Sequence, residues 1–137
     1  MRQTIMGIAA LIMMPWSAIA CGVGPQTSEG YENTPVSHAQ QHWQQGSYST
    51  IPFMFLDVRT PEEFAEGHIQ GATLIPVQEL EQHLAEIPKD KQVYVYCRSG
   101  KRSAAASTML AKHGFANIEN VVGGIEAWKN SGYTVVK

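Results

Sequence analysis

From residue 51 onward, apolar and aromatic residues cluster into short blocks separated by polar turns. The blocks at 51–56, 92–96 and 118–122 are short and contain aromatic or β-branched residues, which is typical of buried strands. Between them, residues 103–113 are rich in Ala and are followed by Gly114, which predicts a helix and its end. Strands that alternate with helices predict an α/β fold with a parallel sheet covered by helices on both faces.

Capping and turn residues set the boundaries of the other elements. Thr60, Pro61 and Glu63 predict a helix that starts with a capping box, and Gly67 ends it. The remaining expected elements are a helix at 37–45 that Ser37 caps and Gly46 ends, a short strand at 72–76, a helical segment at 77–86 and a last helix at 125–130.

The first twenty residues differ from the rest of the chain. Arg2 precedes an apolar stretch at 5–16, and Ala18 and Ala20 follow; this order is typical of a secretory signal peptide. The stretch is shorter than the roughly 20 residues that span a bilayer. We therefore expect residues 1–20 to be a signal peptide and the protein to be periplasmic or secreted. A buried N-terminal helix is the alternative.

Cys21 stands directly after that signal. Residues 18–21 resemble a bacterial lipobox, although most lipoboxes carry Leu where this chain has Ala18, so lipidation of Cys21 is an alternative fate. Residues 21–35 are rich in Gly, Pro, Ser, Thr and Asn, which predicts a flexible tether before a domain at 36–137. Membrane attachment is expected only if Cys21 is lipidated.

Composition narrows the possible functions. The chain has 137 residues, of which 44% are hydrophobic and 16% charged, and its net charge is −2. These values fit one globular domain and give no reason to expect a nucleic-acid partner. A disulfide between Cys21 and Cys97 is the alternative to a reactive thiol, but Cys21 lies at a processing site beyond the predicted tether. The histidines share no ligand spacing, so no metal site is expected.

Cys97 lies in a setting suited to chemistry. It follows the clearest predicted strand and precedes a polar loop that opens a helix, and helix N-termini stabilise anions. Arg98, Lys101 and Arg102 add three cations, and Gly100 lets several amides turn toward one anion. The pattern predicts a thiolate of lowered pKa. An inert packing cysteine is the alternative.

Four segments resemble motifs of the single-domain rhodaneses. Residues 97–103 resemble their C-x-x-G-x-R-S active loop, and 57–59 resemble their D-x-R strand end. Residues 64–72 resemble F-x-x-G-H-I-x-G-A, and 120–128 resemble the C-terminal block that ends G-G-x-x-x-W. One such motif alone would be weak evidence for this family, but four motifs in the usual order across 36–137 are strong evidence. Exported members of the phage-shock type are similar in length.

The resemblance implies five parallel strands with helices on both faces, and a sulfurtransferase without metal or organic cofactor. The Cys97 thiolate would take sulfur from a small anionic donor such as thiosulfate and pass it from a persulfide to cyanide or a thiol. Asp57 and His68 are expected to support the loop, and the protein is expected to be a monomer. The residues expected to bind the donor are Arg59, Arg98, Ser99, Gly100, Lys101, Arg102 and Ser103.

Two other functions remain as alternatives. Phosphatases and arsenate reductases use a C-x5-R loop, whereas four residues separate Cys97 from Arg102 here, which makes the anion cradle smaller. The second alternative is a non-catalytic rhodanese-like binding module. Modules of that kind lack the loop cysteine, so the presence of Cys97 favours catalysis.

Overall fold

A computed structural model describes residues 27–137 of the chain. Its centre is a sheet of five strands, all paired in parallel, in the order β1-β5-β4-β2-β3. The strands are β1 (Glu32–Pro35), β2 (Phe53–Asp57), β3 (Thr73–Leu74), β4 (Gln92–Tyr96) and β5 (Ile118–Val122). The predicted α/β fold with a five-stranded parallel sheet is confirmed.

Helices cover both faces of the sheet. Successive strand residues point to opposite faces, so the central strands β2, β4 and β5 contribute apolar side chains to two separate core clusters. Leu56 belongs to one core cluster with Leu110, and its neighbour Phe55 belongs to the other with Trp128. The helices are α1 (Val36–Gln45), α2 (Pro61–Glu66), α3 (Lys101–Lys112) and α4 (Gly124–Asn130), with 3₁₀ segments at Gly46–Tyr48 and Leu80–Glu86. Within residues 27–137, no helix is long and apolar enough to cross a membrane.

The first strand corrects the predicted tether. β1 lies inside 21–35 and pairs with β5, with Thr34 beside Val121, and Thr34 and Tyr31 are buried. The tether prediction is wrong for this part, and the domain begins before residue 36. Composition hid the strand because an edge strand pairs through its backbone, whatever its side chains. Residues 1–26, which include the predicted signal peptide and Cys21, lie outside the described residues.

Several boundaries differ from their predicted positions by a few residues. The strand at 72–76 shortens to Thr73–Leu74, and the helical segment at 77–86 becomes the 3₁₀ turn from Leu80. Helix α3 begins at Lys101, two residues before the predicted start. Ser103 therefore lies in the first turn of that helix and does not cap it, which changes what its hydroxyl can contact.

The predicted capping box of α2 is confirmed. The Glu63 amide donates to Thr60 Oγ1 at 3.2 Å, and the Thr60 amide donates to Glu63 Oε2 at 3.1 Å. Pro61 occupies the first helical position, where its missing N–H costs no hydrogen bond. The box therefore fixes the Glu63 side chain at the start of α2.

Candidate active site

Cys97 stands where strand β4 ends and helix α3 begins. Gly100 caps α3 with a φ of 106°, a left-handed conformation that glycine adopts without strain. This turn brings the first amides of α3 back over Cys97. The thiol therefore lies at the positive end of a helix of 12 residues, where anions are stabilised.

Two donors contact the sulfur directly. The Gly100 amide donates to Cys97 Sγ at 3.1 Å, and the Ser103 hydroxyl donates to it at 3.4 Å. Burial of the Cys97 thiol raises its pKa, but hydrogen bonds from the Ser103 hydroxyl and from the amides of Ser103, Gly100 and Ser99 lower it more. The net pKa lies below the usual thiol value, so this loop stabilises the thiolate.

Helix α4 holds the other side of the loop. The Ile125 amide donates to Cys97 O at 2.9 Å, and the Glu126 amide donates to Arg98 O at 3.1 Å. Such close approach requires Gly124, since a Cβ there would lie 2.3 Å from Cys97 O. The place of Gly124 in the C-terminal motif at 120–128 was the sequence signal for this role.

Asp57 and Arg59 form a buried pair beneath the loop. Asp57 is 0% exposed and Arg59 4%, with Arg59 Nη2 at 2.6 Å from Asp57 Oδ2. The guanidinium also donates to Gly67 O at 2.8 Å and to Glu63 O at 3.2 Å. The expected structural role suits Asp57. The charge and hydrogen bonds of Arg59 are engaged by the protein, and its expected donor-binding role stays a prediction.

Arg102 pairs with Glu63, the carboxylate of the α2 capping box. Arg102 Nη1 and Nη2 donate to Glu63 Oε2 and Oε1 at 2.7 and 2.8 Å, a bidentate geometry. The Arg102 hydrogen bonds, with those from Thr60, lower the pKa of Glu63 to about 2. Glu63 therefore stays ionised and neutralises the cation that was expected to bind the donor.

The two other loop cations differ in their partners. Arg98 Nε donates to Glu126 Oε1 at 2.8 Å on the surface. Lys101 is exposed and makes no salt bridge within residues 27–137. The loop therefore carries much less uncompensated positive charge than its sequence suggests, because α2 and α4 each contribute a carboxylate.

A cleft of about 260 Å³ opens beside the loop, between α2 and α4. Its charged lining is balanced, with three cations and three carboxylates around one apolar side chain. The lining residues are Arg59, Arg98, Lys129, Glu63, Glu66, Glu126 and Ile125. A small charged molecule that approaches the loop from this side meets groups of both signs.

His68 lies apart from the sulfur. Its ring stacks on Phe64 with centroids 3.6 Å apart, and its Nδ1 lies 3.0 Å from Phe64 O. Its backbone pairs with Val136 through two hydrogen bonds of 2.8 and 2.9 Å. These contacts tie the C-terminal segment to the end of α2, and none of them reaches the Cys97 loop. Residues 27–137 contain no cluster of three or more His, Cys, Asp or Glu residues arranged to hold a metal.

Comparison with known proteins agrees with this geometry. Residues 37–131 match the model of the Rhodanese-like domain. The chain is 41% identical over 87 residues to a sulfurtransferase of Allochromatium vinosum, covering 64% of this chain and 81% of that protein. It is 34% identical over 87 residues to the thiosulfate sulfurtransferase PspE of Escherichia coli, covering 62% and 72% of the two chains.

A solved structure agrees as well. The crystal structure of a rhodanese-related protein from Thermoplasma volcanium superposes with a TM-score of 0.68 at 34% identity, over 76% of this chain and 96% of that one. The matched family model covers well over half of the 137 residues, and it includes the strand ends, the cysteine loop and α4. The chain therefore belongs to the Rhodanese-like domain family, and several of its relatives are named as sulfurtransferases.

Proposed function

We propose that the protein transfers sulfane sulfur from a small anionic donor such as thiosulfate to cyanide or a thiol, through a persulfide on Cys97. The observation that carries the proposal is the set of hydrogen-bond donors around the Cys97 sulfur atom. Cys97 Sγ accepts hydrogen bonds from the Gly100 amide and the Ser103 hydroxyl at the N-terminus of α3. The same donors that stabilise the thiolate would stabilise a persulfide anion.

The proposed reaction has two half-reactions. The Cys97 thiolate attacks the outer sulfur of the donor, a Sγ–S bond forms, and the donor's S–S bond breaks; with thiosulfate, sulfite leaves with the electron pair. The acceptor then attacks the outer sulfur of the persulfide, giving thiocyanate from cyanide or a new persulfide from a thiol. The Cys97 thiolate is restored, so ping-pong kinetics are expected.

The enclosure of the sulfur supports sulfur transfer over phosphoryl transfer. Cys97 is only 1% exposed, so the atom it attacks must enter the loop at a narrow point. A sulfane donor ends in one bare sulfur atom, whereas a phosphoryl group brings three oxygens that need donors around them. Arg102, the loop cation that would meet those oxygens, is held by Glu63.

The test is the mass of the intact protein after treatment of the reduced chain with thiosulfate. We expect one added sulfur atom, which cyanide removes as thiocyanate. Cys97→Ser is expected to gain none and to unfold at a similar temperature, because Ser is close to Cys in size. Cys21→Ser, which removes the only other cysteine, is the matched control and is expected to load normally.

Other outcomes would contradict the proposal. Sulfur loading that persists in Cys97→Ser would remove the nucleophile assignment. A wild-type chain that gains no sulfur and yields no thiocyanate would instead be a binding module. Rapid hydrolysis of an aryl phosphate would favour the phosphatase alternative.

We also propose that the protein is exported, as a member of the phage-shock type. The support is the order of charge, apolar stretch and small residues in 1–20. Intact mass of the protein from a periplasmic or membrane fraction distinguishes cleavage after Ala20 from lipidation of Cys21. An uncleaved chain recovered from the cytoplasm would contradict export.

A further inference from the structure

The structure assigns a second role to Glu63, beyond its capping of α2. We propose that Glu63 is a specificity-determining residue that, by neutralising Arg102, makes the site favour sulfur donors with one negative charge over dianions such as thiosulfate. This inference rests on the proposed sulfur transfer and names the class of donor that the site prefers.

The position of Glu63 is fixed from two sides. Its Oε2 accepts from the Thr60 amide at 3.1 Å, and both carboxylate oxygens accept from Arg102 at 2.7 and 2.8 Å. The side chains are 25% and 34% exposed. Because the carboxylate is already held by the helix cap, forming the pair costs it little side-chain entropy. The Arg102 guanidinium is therefore held by the protein and does not wait for an anionic substrate.

The loop offers a dianion few other positive charges. Arg98 is paired with Glu126, and Arg59 is paired with Asp57. What remains is the partial charge of the α3 N-terminus, the exposed Lys101 and, at the cleft beside the loop, the exposed Lys129. The Cys97 thiolate already carries one negative charge. The remaining positive charge therefore stabilises a donor with one further negative charge better than a donor with two.

The cleft beside the loop has the same balance. Glu63, Glu66 and Glu126 line it together with three cations, two of which are the paired Arg98 and Arg59. A donor whose inactive end is neutral can rest there without opposing three carboxylates. A sulfonate end carries its own negative charge into the same cleft. The three carboxylates repel it at short range, and two of the three cations there are already paired.

A matched pair of donors separates charge from chemistry. Thiosulfate and methanethiosulfonate both present a terminal sulfur on a sulfonyl sulfur, but the first is a dianion and the second a monoanion. In each case the Cys97 thiolate bonds to the terminal sulfur and the S–S bond breaks; the electron pair leaves with sulfite or with methanesulfinate. Charge is conserved in both reactions, and the proton count does not change.

The experiment measures kcat/KM for both donors with cyanide as acceptor. In Glu63→Gln, the amide keeps the capping box, since Gln serves there as Glu does, but Arg102 loses its counter-charge. We expect the thiosulfate-to-methanethiosulfonate ratio of kcat/KM to rise about fivefold, the scale of one partly exposed charge pair. The rise should shrink at high salt, because exposed charges are screened.

Two further variants make the result decisive. Glu62→Gln removes the same charge from an exposed neighbour on α2 and is expected to leave the ratio unchanged. Arg102→Gln in the Glu63→Gln background is expected to return the ratio toward the wild-type value, because the released cation is then absent. Thermal melts of all variants show that each is folded at the assay temperature.

The outcomes separate this inference from the function on which it rests. An unchanged ratio in Glu63→Gln, or an equal fall of kcat/KM with both donors, would show that Glu63 is only structural and would overturn the inference. A ratio that rises as much in Glu62→Gln would overturn it as well. If the wild-type chain takes sulfur from neither donor, the proposed sulfur transfer itself fails.

Discussion

Adding one methyl group at Gly124 tests how strictly α4 holds the cysteine loop. A Cβ at this position would lie 2.3 Å from Cys97 O and 2.7 Å from Arg98 O, whereas real Cβ contacts stay beyond 3.0 Å. The loop and the helix must separate, and the hydrogen bonds of Ile125 and Glu126 to those carbonyls must lengthen or break.

Three contributions set the loss in free energy of unfolding that we expect for Gly124→Ala. Two weakened hydrogen bonds contribute about 1 kcal/mol each, overpacking contributes about 1–3 kcal/mol, and Ala in the left-handed region contributes about 1 kcal/mol. We expect Gly124→Ala to lower the free energy of unfolding by about 5 kcal/mol, which lowers the melting temperature by roughly 20 °C. Sulfur loading should fall at temperatures where the variant is still folded, because the displaced carbonyls belong to the catalytic loop.

Gly132→Ala is the matched control. Gly132 has a φ of +79° and no atom within 4 Å of the position of an added Cβ. Alanine there therefore has the unfavourable left-handed backbone conformation but no steric clash. We expect it to lose about 1 kcal/mol and to load sulfur normally. The assays are thermal melting by circular dichroism and the intact mass after thiosulfate treatment. If both variants melted together and loaded sulfur equally, close packing of α4 on the loop would be refuted.

Three further variants test single contacts of the site. Ser103→Ala removes a hydrogen bond to Cys97 Sγ that lowers the pKa of the thiol, so the pKa of Cys97 should rise; the pH profile of alkylation by iodoacetamide measures the rise. Asp57→Asn leaves the buried Arg59 without its counter-ion and should cost about 3–5 kcal/mol in urea unfolding. The folded pKa of Glu63 is about 2 against a usual 4.5, so its contribution is complete above pH 4.5 and lost as pH falls through 2. The free energy of unfolding of Glu63→Gln should therefore fall less steeply across that window.

Each of these variants has a control elsewhere in the chain. Ser107→Ala removes another buried serine hydroxyl of α3, one with no hydrogen-bond partner among the described residues, and should leave the alkylation profile in place. Asp90→Asn and Glu62→Gln remove exposed carboxylates and should change stability by less than about 0.5 kcal/mol. A control that matched its test variant would show that the named contact contributes nothing specific.

The cysteine loop was predictable because its signals are local. Cys97, Gly100 and Ser103 lie within one turn and the start of one helix, and backbone geometry alone brings the amides back over the sulfur. The capping box of Thr60 and Glu63 is local for the same reason. Strand ends follow from short apolar blocks, so both Asp57 and Cys97 were expected at one edge of the sheet.

The carboxylates that pair with the cations of the cysteine loop depend on how elements distant in sequence pack together. Arg102 meets Glu63 across 39 positions, and Arg98 meets Glu126 across 28, so neither pair has a pattern within a short window of sequence. Strand β1 was not predicted because it forms by pairing with the unpaired backbone groups of β5, and its own side chains carry no strand pattern. Sequence by itself thus determined which side chain lies among the amides of a helix N-terminus, since that setting is built within a few residues. Only the tertiary structure decided how much charge surrounds it, because the compensating carboxylates arrive on other helices.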